Sequence, residues 1–173
     1  MYGYGKFQGS RTQLESAITL AYDTYGTVVD SNSKLVWKRY RSTQASIDGI
    51  VPVTSGDSIV NAVAAVSNYL GADFNAVSYM EQGHTAVETF DNISGVHGIS
   101  LTGITYEKAL SYVGDGSPVI ARIGEDEYII ITAYNSSEIA YIEASTGAQK
   151  TVSMNDAGKM FSQGGNIYVT YYK

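Results

Sequence analysis

The chain has 173 residues, enough for one domain of ordinary size, or one with a small lobe attached, to bury a real core. It contains no cysteine, which excludes disulfides, thiolate metal sites and a cysteine nucleophile together. A net charge of −6 argues against a nucleic-acid partner, which calls for a basic excess, and no window approaches the ~18 apolar residues needed to insert in a membrane.

Charged residues make up 16% of the chain where about 25% is usual, while tyrosine alone contributes 15 residues. The expected surface is polar rather than charged, a tendency of secreted and cell-wall proteins. From the N-terminus, residues 2–7 alternate aromatic and small side chains and read as a strand already under way, so the chain is expected to begin inside a longer protein, with any signal peptide or anchor outside it. Thr12, Gln13, Leu14 and Glu15 have capping-box spacing ahead of Leu14, Ile18, Leu20 and Ala21, which predicts a helix that Gly26 ends. Residues 27–30 return as a strand, 31–33 turn, and 35–40 pair back as a hairpin. Residues 1–45 are therefore expected to form a small N-terminal β-α-β lobe, joined to a second unit at 46–173 by the polar stretch 41–48, which has no apolar period.

Asp57 or Ser58 caps a helix that runs to Gly71, with Val60, Val63, Ala64 and Leu70 as its buried stripe. Shorter helices are predicted at 75–82 and 85–93, and Thr105 caps another that Gly114 closes. From Pro118 the period is that of strands, at 118–123, 127–134 and 138–144, joined by polar turns as consecutive antiparallel neighbours. The apolar run 128–132 suggests a strand covered on both sides, while Ile139, Tyr141 and Glu143 alternate as an exposed set would. Ser153 caps a last helix to Phe161, and 166–172 closes the fold as a strand. There is no internal repeat and no low-complexity segment.

The stretch 116–147 resembles the second half of papain-like cysteine peptidases of the bacteriocin-processing type. Gly116, Pro118 and Val119 match the family's Gly-x-Pro-Val strand. The catalytic His that opens the next strand in the family falls on Glu127, and the family's Asp-Pro-x-x-Gly falls on Glu143, Ala144 and Gly147. Tyr69, Leu70 and Gly71 resemble the end of the family's nucleophile helix, which places its Cys position at Ser58. No Gln between Ile50 and Ser55 stands for the oxyanion-hole residue. The resemblance implies an α+β, papain-like (cysteine proteinase-like) fold with a central antiparallel sheet packed by helices, and a degenerate triad at Ser58, Glu127 and Glu143. The chain is also similar, through 26–30 and 99–113, to domains of large secreted or surface proteins of clostridial-type bacteria, which implies an extracellular or cell-envelope location.

A papain-type reaction needs a nucleophile, a base that activates it and a third group that orients the base. Serine keeps that logic, but a carboxylate of ordinary pKa about 4.3 is a poor base for a hydroxyl. The expected function is a non-catalytic binding or structural module, a pseudo-peptidase, using no cofactor or metal. Its partner would be a peptide, glycan or cell-wall ligand, or neighbouring domains of the same chain. Two alternatives stand beside it: a hydrolase rebuilt on Ser58 or on Glu127 and Glu143 as paired carboxylates, and a cell-wall or peptide-binding domain that uses exposed tyrosines. Glu125, Asp126 and Glu127 are read as a solvated turn in preference to a calcium site. His84, near a helix start, and His97, near a strand start, are read as surface or hydrogen-bonded structural residues. Lys38, Arg39 and Arg41 beside Trp37 are read as partners of surface acids in preference to an anionic-ligand patch. The glycines of 2–9 lack a following Lys-Ser or Lys-Thr, which favours a strand over a phosphate loop.

Overall fold

The computed structural model describes residues 13–39 and 42–173, together with the backbone of Tyr2–Gly3 and Lys6–Phe7. The chain opens with two short strands, β1 (Tyr2–Gly3) and β2 (Lys6–Phe7), which pair antiparallel with each other, so the single strand expected at 2–7 is two. Helix α1 (Leu14–Asp23) starts from Gln13. The Thr12 of the expected capping box lies outside the described residues. The helix ends as Gly26 donates its N–H to the Ala21 carbonyl at 2.7 Å, but the left-handed residue is Tyr25, with φ 52°, and not the glycine. Strands β3 (Thr27–Val29) and β4 (Leu35–Lys38) follow, their turn tied by the Asp30 carboxylate accepting from the N–H groups of Asn32 and Lys34. These strands make a four-stranded sheet in the order β2-β1-β3-β4.

The stretch read as a linker carries β5 (Ala45–Ser46), which pairs with a later strand of the main sheet. Then come α2 (Ser58–Tyr69), α3 (Ala76–Glu81) and α4 (Ala86–Asp91). Thr85 and Glu88 form a reciprocal capping box at the start of α4. Strand β6 (His97–Thr102), α5 (Tyr106–Gly114), β7 (Val119–Arg122), β8 (Tyr128–Tyr134) and β9 (Glu138–Glu143) lead to β10 (Gln149–Ser153), a polar strand with no apolar signal in the sequence. Helix α6 (Met154–Gln163), capped by Ser153, and β11 (Ile167–Tyr172) complete the described elements. The main sheet is antiparallel in the order β10-β9-β8-β7-β11-β6, with β5 taking over beside β8 where β7 stops.

Helices cover both faces of this sheet. On β11, Tyr168 packs toward Phe161 of α6 with ring centroids 5.9 Å apart, and Tyr171 packs toward Phe90 of α4 at 5.8 Å. Side chains three apart on a strand point to opposite sides, so α6 and α4 lie on opposite faces. Ile129, Ile130 and Ile131 of β8 are all buried, as their continuous apolar run implies. The alternation expected on β9 is not an exposed set: Ile139 and Tyr141 are buried, because α6 lies against this strand. Residues 61–67 of α2 are buried all round, a wider surface than the expected stripe, while Val60 and Leu70 at its ends are half-buried. The N-terminal sheet docks on α5, where buried Trp37 donates its indole N–H to the Lys108 carbonyl at 3.0 Å. Ile18, Ala21, Val28, Val36 and Trp37 join the same continuous core as the main sheet.

Candidate functional site

The three positions that the resemblance assigns to a triad meet around Tyr128 at the start of β8. Ser58, the first residue of α2 and only 9% exposed, accepts the Tyr128 N–H on its hydroxyl oxygen at 2.9 Å and donates toward the Tyr128 carbonyl at 3.3 Å. That carbonyl also accepts the N–H of Ala144, the residue after Glu143. Glu127 precedes Tyr128, and Glu143 lies opposite Ile129 in the β8–β9 register. Asn61, one turn into α2, ties the same junction together. Its amide donates to the Ala144 and Gly56 carbonyls at 3.1 and 2.7 Å, and its oxygen accepts the Gly56 N–H at 2.8 Å.

Two of the three side chains are engaged elsewhere, and the third is exposed. The Ser58 hydroxyl stands in for a ladder partner at the end of β8, so its lone pairs and proton serve a strand. Glu127 is exposed in the hairpin turn between β7 and β8, closed by the Ile123 N–H bonding its carbonyl at 2.9 Å. Glu143 accepts from the ammonium of Lys150 and from the Thr146 hydroxyl at 2.9 Å. These two hydrogen bonds, the lysine's first, hold its carboxyl below the usual carboxylate range. A general acid for glycoside cleavage requires the opposite shift.

Among the described residues, no group of three or more histidines, aspartates and glutamates gathers as a metal site. Glu125 and Asp126 are exposed beside Glu127. His84 stacks on Tyr79 with centroids 3.8 Å apart and planes 8° from parallel, and His97 stacks on Tyr172 at 5.0 Å. No helix among the described residues is long and apolar enough to cross a membrane.

Two open hollows flank the segment carrying β5. One of about 470 Å³ lies over β8–β10, between Asp48 and Ile50 on one side and Ile142, Gln149 and Thr151 on the other. The second, about 510 Å³, shares Ser46, Ala133 and Ala140 with it and extends toward Asn135 and Glu138. Neither is legible in the sequence, because residues 41–48 read as a linker and β10 carries no strand signal.

Among the described residues, the buried and the most exposed tyrosines are dispersed over several elements. Tyr112, Tyr141, Tyr168 and Tyr171 are buried in the core, and Tyr25 and Tyr69 are exposed on different elements. The basic run also divides. Trp37 is buried and Lys38 pairs with Asp115, whereas Arg39 lies between the rings of Tyr22 and Tyr25, 4.1 and 4.2 Å from their centroids. Arg41 lies outside the described residues.

An antiparallel sheet with a helix docked by its N-terminus onto the start of a central strand defines a mixed α+β architecture. A crystal structure from Bacillus anthracis, provisionally named a C39-like peptidase, has the same fold. Its TM-score is 0.61 at 11% sequence identity, over 76% of this chain and 98% of that one. The likeness is one of fold. No family model matches the chain, and no curated protein matches it by sequence.

Proposed function

We propose that this chain is a non-catalytic binding module, a pseudo-peptidase on a papain-like scaffold, with residues 1–45 as a small lobe on a peptidase-like unit at 46–173. The observation that carries the reading is the occupation of Ser58. Its hydroxyl is used by the backbone of Tyr128 as acceptor and donor, where a nucleophile would have to be free and beside a base. The position aligned with the base holds an exposed glutamate, and the position aligned with its orienting acid holds a glutamate bound to Lys150. The rebuilt glycosidase is disfavoured because Glu127 is exposed in a turn and the Glu143 carboxylate is held by Lys150. The hollow beside β8–β10 lies within the roughly 300–1,000 Å³ range of ligand pockets, which supports binding there by a peptide or glycan. A low-charge, tyrosine-rich composition fits a place outside the cell or on its envelope.

The test is product analysis by mass spectrometry after incubating the purified protein with mixed peptides, polysaccharides and peptidoglycan fragments, alongside hydrogen exchange with and without each mixture. The expected result is protection of residues 46–50 and β9–β10 with no products. Products that disappear in Ser58→Ala or Glu127→Gln would overturn the reading.

A further inference from the structure

A third cleft, about 210 Å³, opens between α1, α5 and the β8–β9 turn. Arg39 lies at one side of it, with Tyr22, Tyr106, Leu110, Tyr134 and Met154 among its walls. Three observations set this cleft apart. The guanidinium is fixed in place, flanked by Tyr22 and Tyr25 and donating one N–H to the Tyr22 carbonyl at 2.8 Å. Among the described residues it forms no ion pair, although acids outnumber basic residues by 17 to 11 in the chain. A guanidinium has five N–H donors, and the bond to Tyr22 uses one.

We propose that this cleft binds the C-terminal carboxylate of a peptide, with Arg39 as the anion-binding residue. Arginine's planar fork matches a carboxylate, and a guanidinium already held between two rings loses little freedom on binding. Glu107 also lines the cleft, and with the net charge of −6 it disfavours a dianion such as phosphate and favours a single negative charge. The volume suits a terminal residue rather than a longer segment, and Leu110 and Met154 give its side chain an apolar wall. An acidic sugar fits less well, because it needs an open aromatic face. The Tyr22 ring is covered by Arg39 and approached by the Lys108 ammonium at 5.8 Å, while Tyr106 packs on Phe161 at 5.8 Å. The site is independent of the pseudo-peptidase reading, since Ser58, Glu127 and Glu143 do not line it.

Calorimetric titration of the whole chain with acetyl-Ala-Ala-Leu as free acid, the same peptide as C-terminal amide, and glucuronate tests the proposal. The free acid should bind, and the amide about tenfold or more weaker, the loss expected for a charge-assisted hydrogen bond. Arg39→Gln, checked for folding by thermal melting, should bind the acid as weakly as the wild type binds the amide. Glu107→Gln, an exposed position, should bind the acid more tightly by removing a like charge. Equal affinity for acid and amide, or acid binding unchanged in both variants, overturns the proposal. So does glucuronate binding without peptide binding, or no binding of any probe at millimolar concentration.

Discussion

Gly164 ends α6 against the backbone of β7. A Cβ there would stand 1.9 Å from the Arg122 carbonyl oxygen and 2.5 Å from its carbon, and the Arg122 side chain donates to the Gly164 carbonyl at 2.8 Å. The φ of −74° is one that any residue adopts, so close approach is what demands glycine. Gly164→Ala is expected to destabilise the fold by about 1–3 kcal/mol or more, measured by urea unfolding, since only backbone movement relieves the clash. Unchanged stability would show that the end of α6 can shift freely. Nothing in the sequence marks this glycine, because its role depends on a segment some forty residues away in the chain. Ser58 enters the sequence reading only through the resemblance, counted back from Tyr69-Leu70-Gly71, and its bond to Tyr128 exists only once α2 meets β8. Arg39 likewise reads as one more surface cation until Tyr22 and Tyr25 are folded beside it.

Helix α2 is anchored at its first turn by Asn61 rather than by a side-chain cap, since Asp57 makes no capping hydrogen bond. Asn61 is 2% exposed and satisfies three backbone groups, so Asn61→Ala leaves the buried Ala144 carbonyl without this bond and releases both Gly56 groups. An unsatisfied buried group costs about 1–3 kcal/mol, and the variant should lose at least that in denaturant unfolding. Hydrogen exchange should rise at Gly56 and across residues 58–61, and a variant matching the wild type in both readings would mean that apolar packing alone seats α2. The other helices are legible where capping chemistry is local, as at Thr85 with Glu88 and at Ser153 with Asp156. Strands are legible where apolar runs are continuous, as in β8, and not where neighbours decide. β10 has the sequence Gln-Lys-Thr-Val-Ser and exists because β9 offers it an edge, with Lys150 opposite Tyr141. β5 is two residues long and pairs with the far end of β8.

Across the whole molecule, four of the tyrosines that suggested a binding surface, Tyr112, Tyr141, Tyr168 and Tyr171, are core residues. Burial raises the phenol pKa values of Tyr112, Tyr168 and Tyr171, the last to about 12. In the unfolded chain each titrates at about 10. The unfolded state therefore releases these protons first, so stability is fully present below about pH 10 and falls as pH rises toward and beyond 12. Alkaline titration followed by phenolate absorbance and circular dichroism should give a cooperative unfolding step coincident with ionisation of the buried phenols. Their ionisation within an intact fold would refute this. The antiparallel strand succession after Pro118 is legible in the sequence, but the two-sided helical cover and the joining of the N-terminal sheet to the same core are not, since both depend on contacts between distant segments.

The strand order has a consequence for synthesis. β11 lies between β7 and β6, and β6 has no other partner in the sheet among the described residues. As the chain leaves the ribosome, β7, β8 and β9 can pair with one another as soon as they emerge, but β6 must wait as an open edge until residues 167–172 follow. Completion of the main sheet therefore waits for β11, and a nascent chain from which β11 has not yet emerged exposes the edges of both β6 and β7 to any cellular factor that recognises unpaired strands.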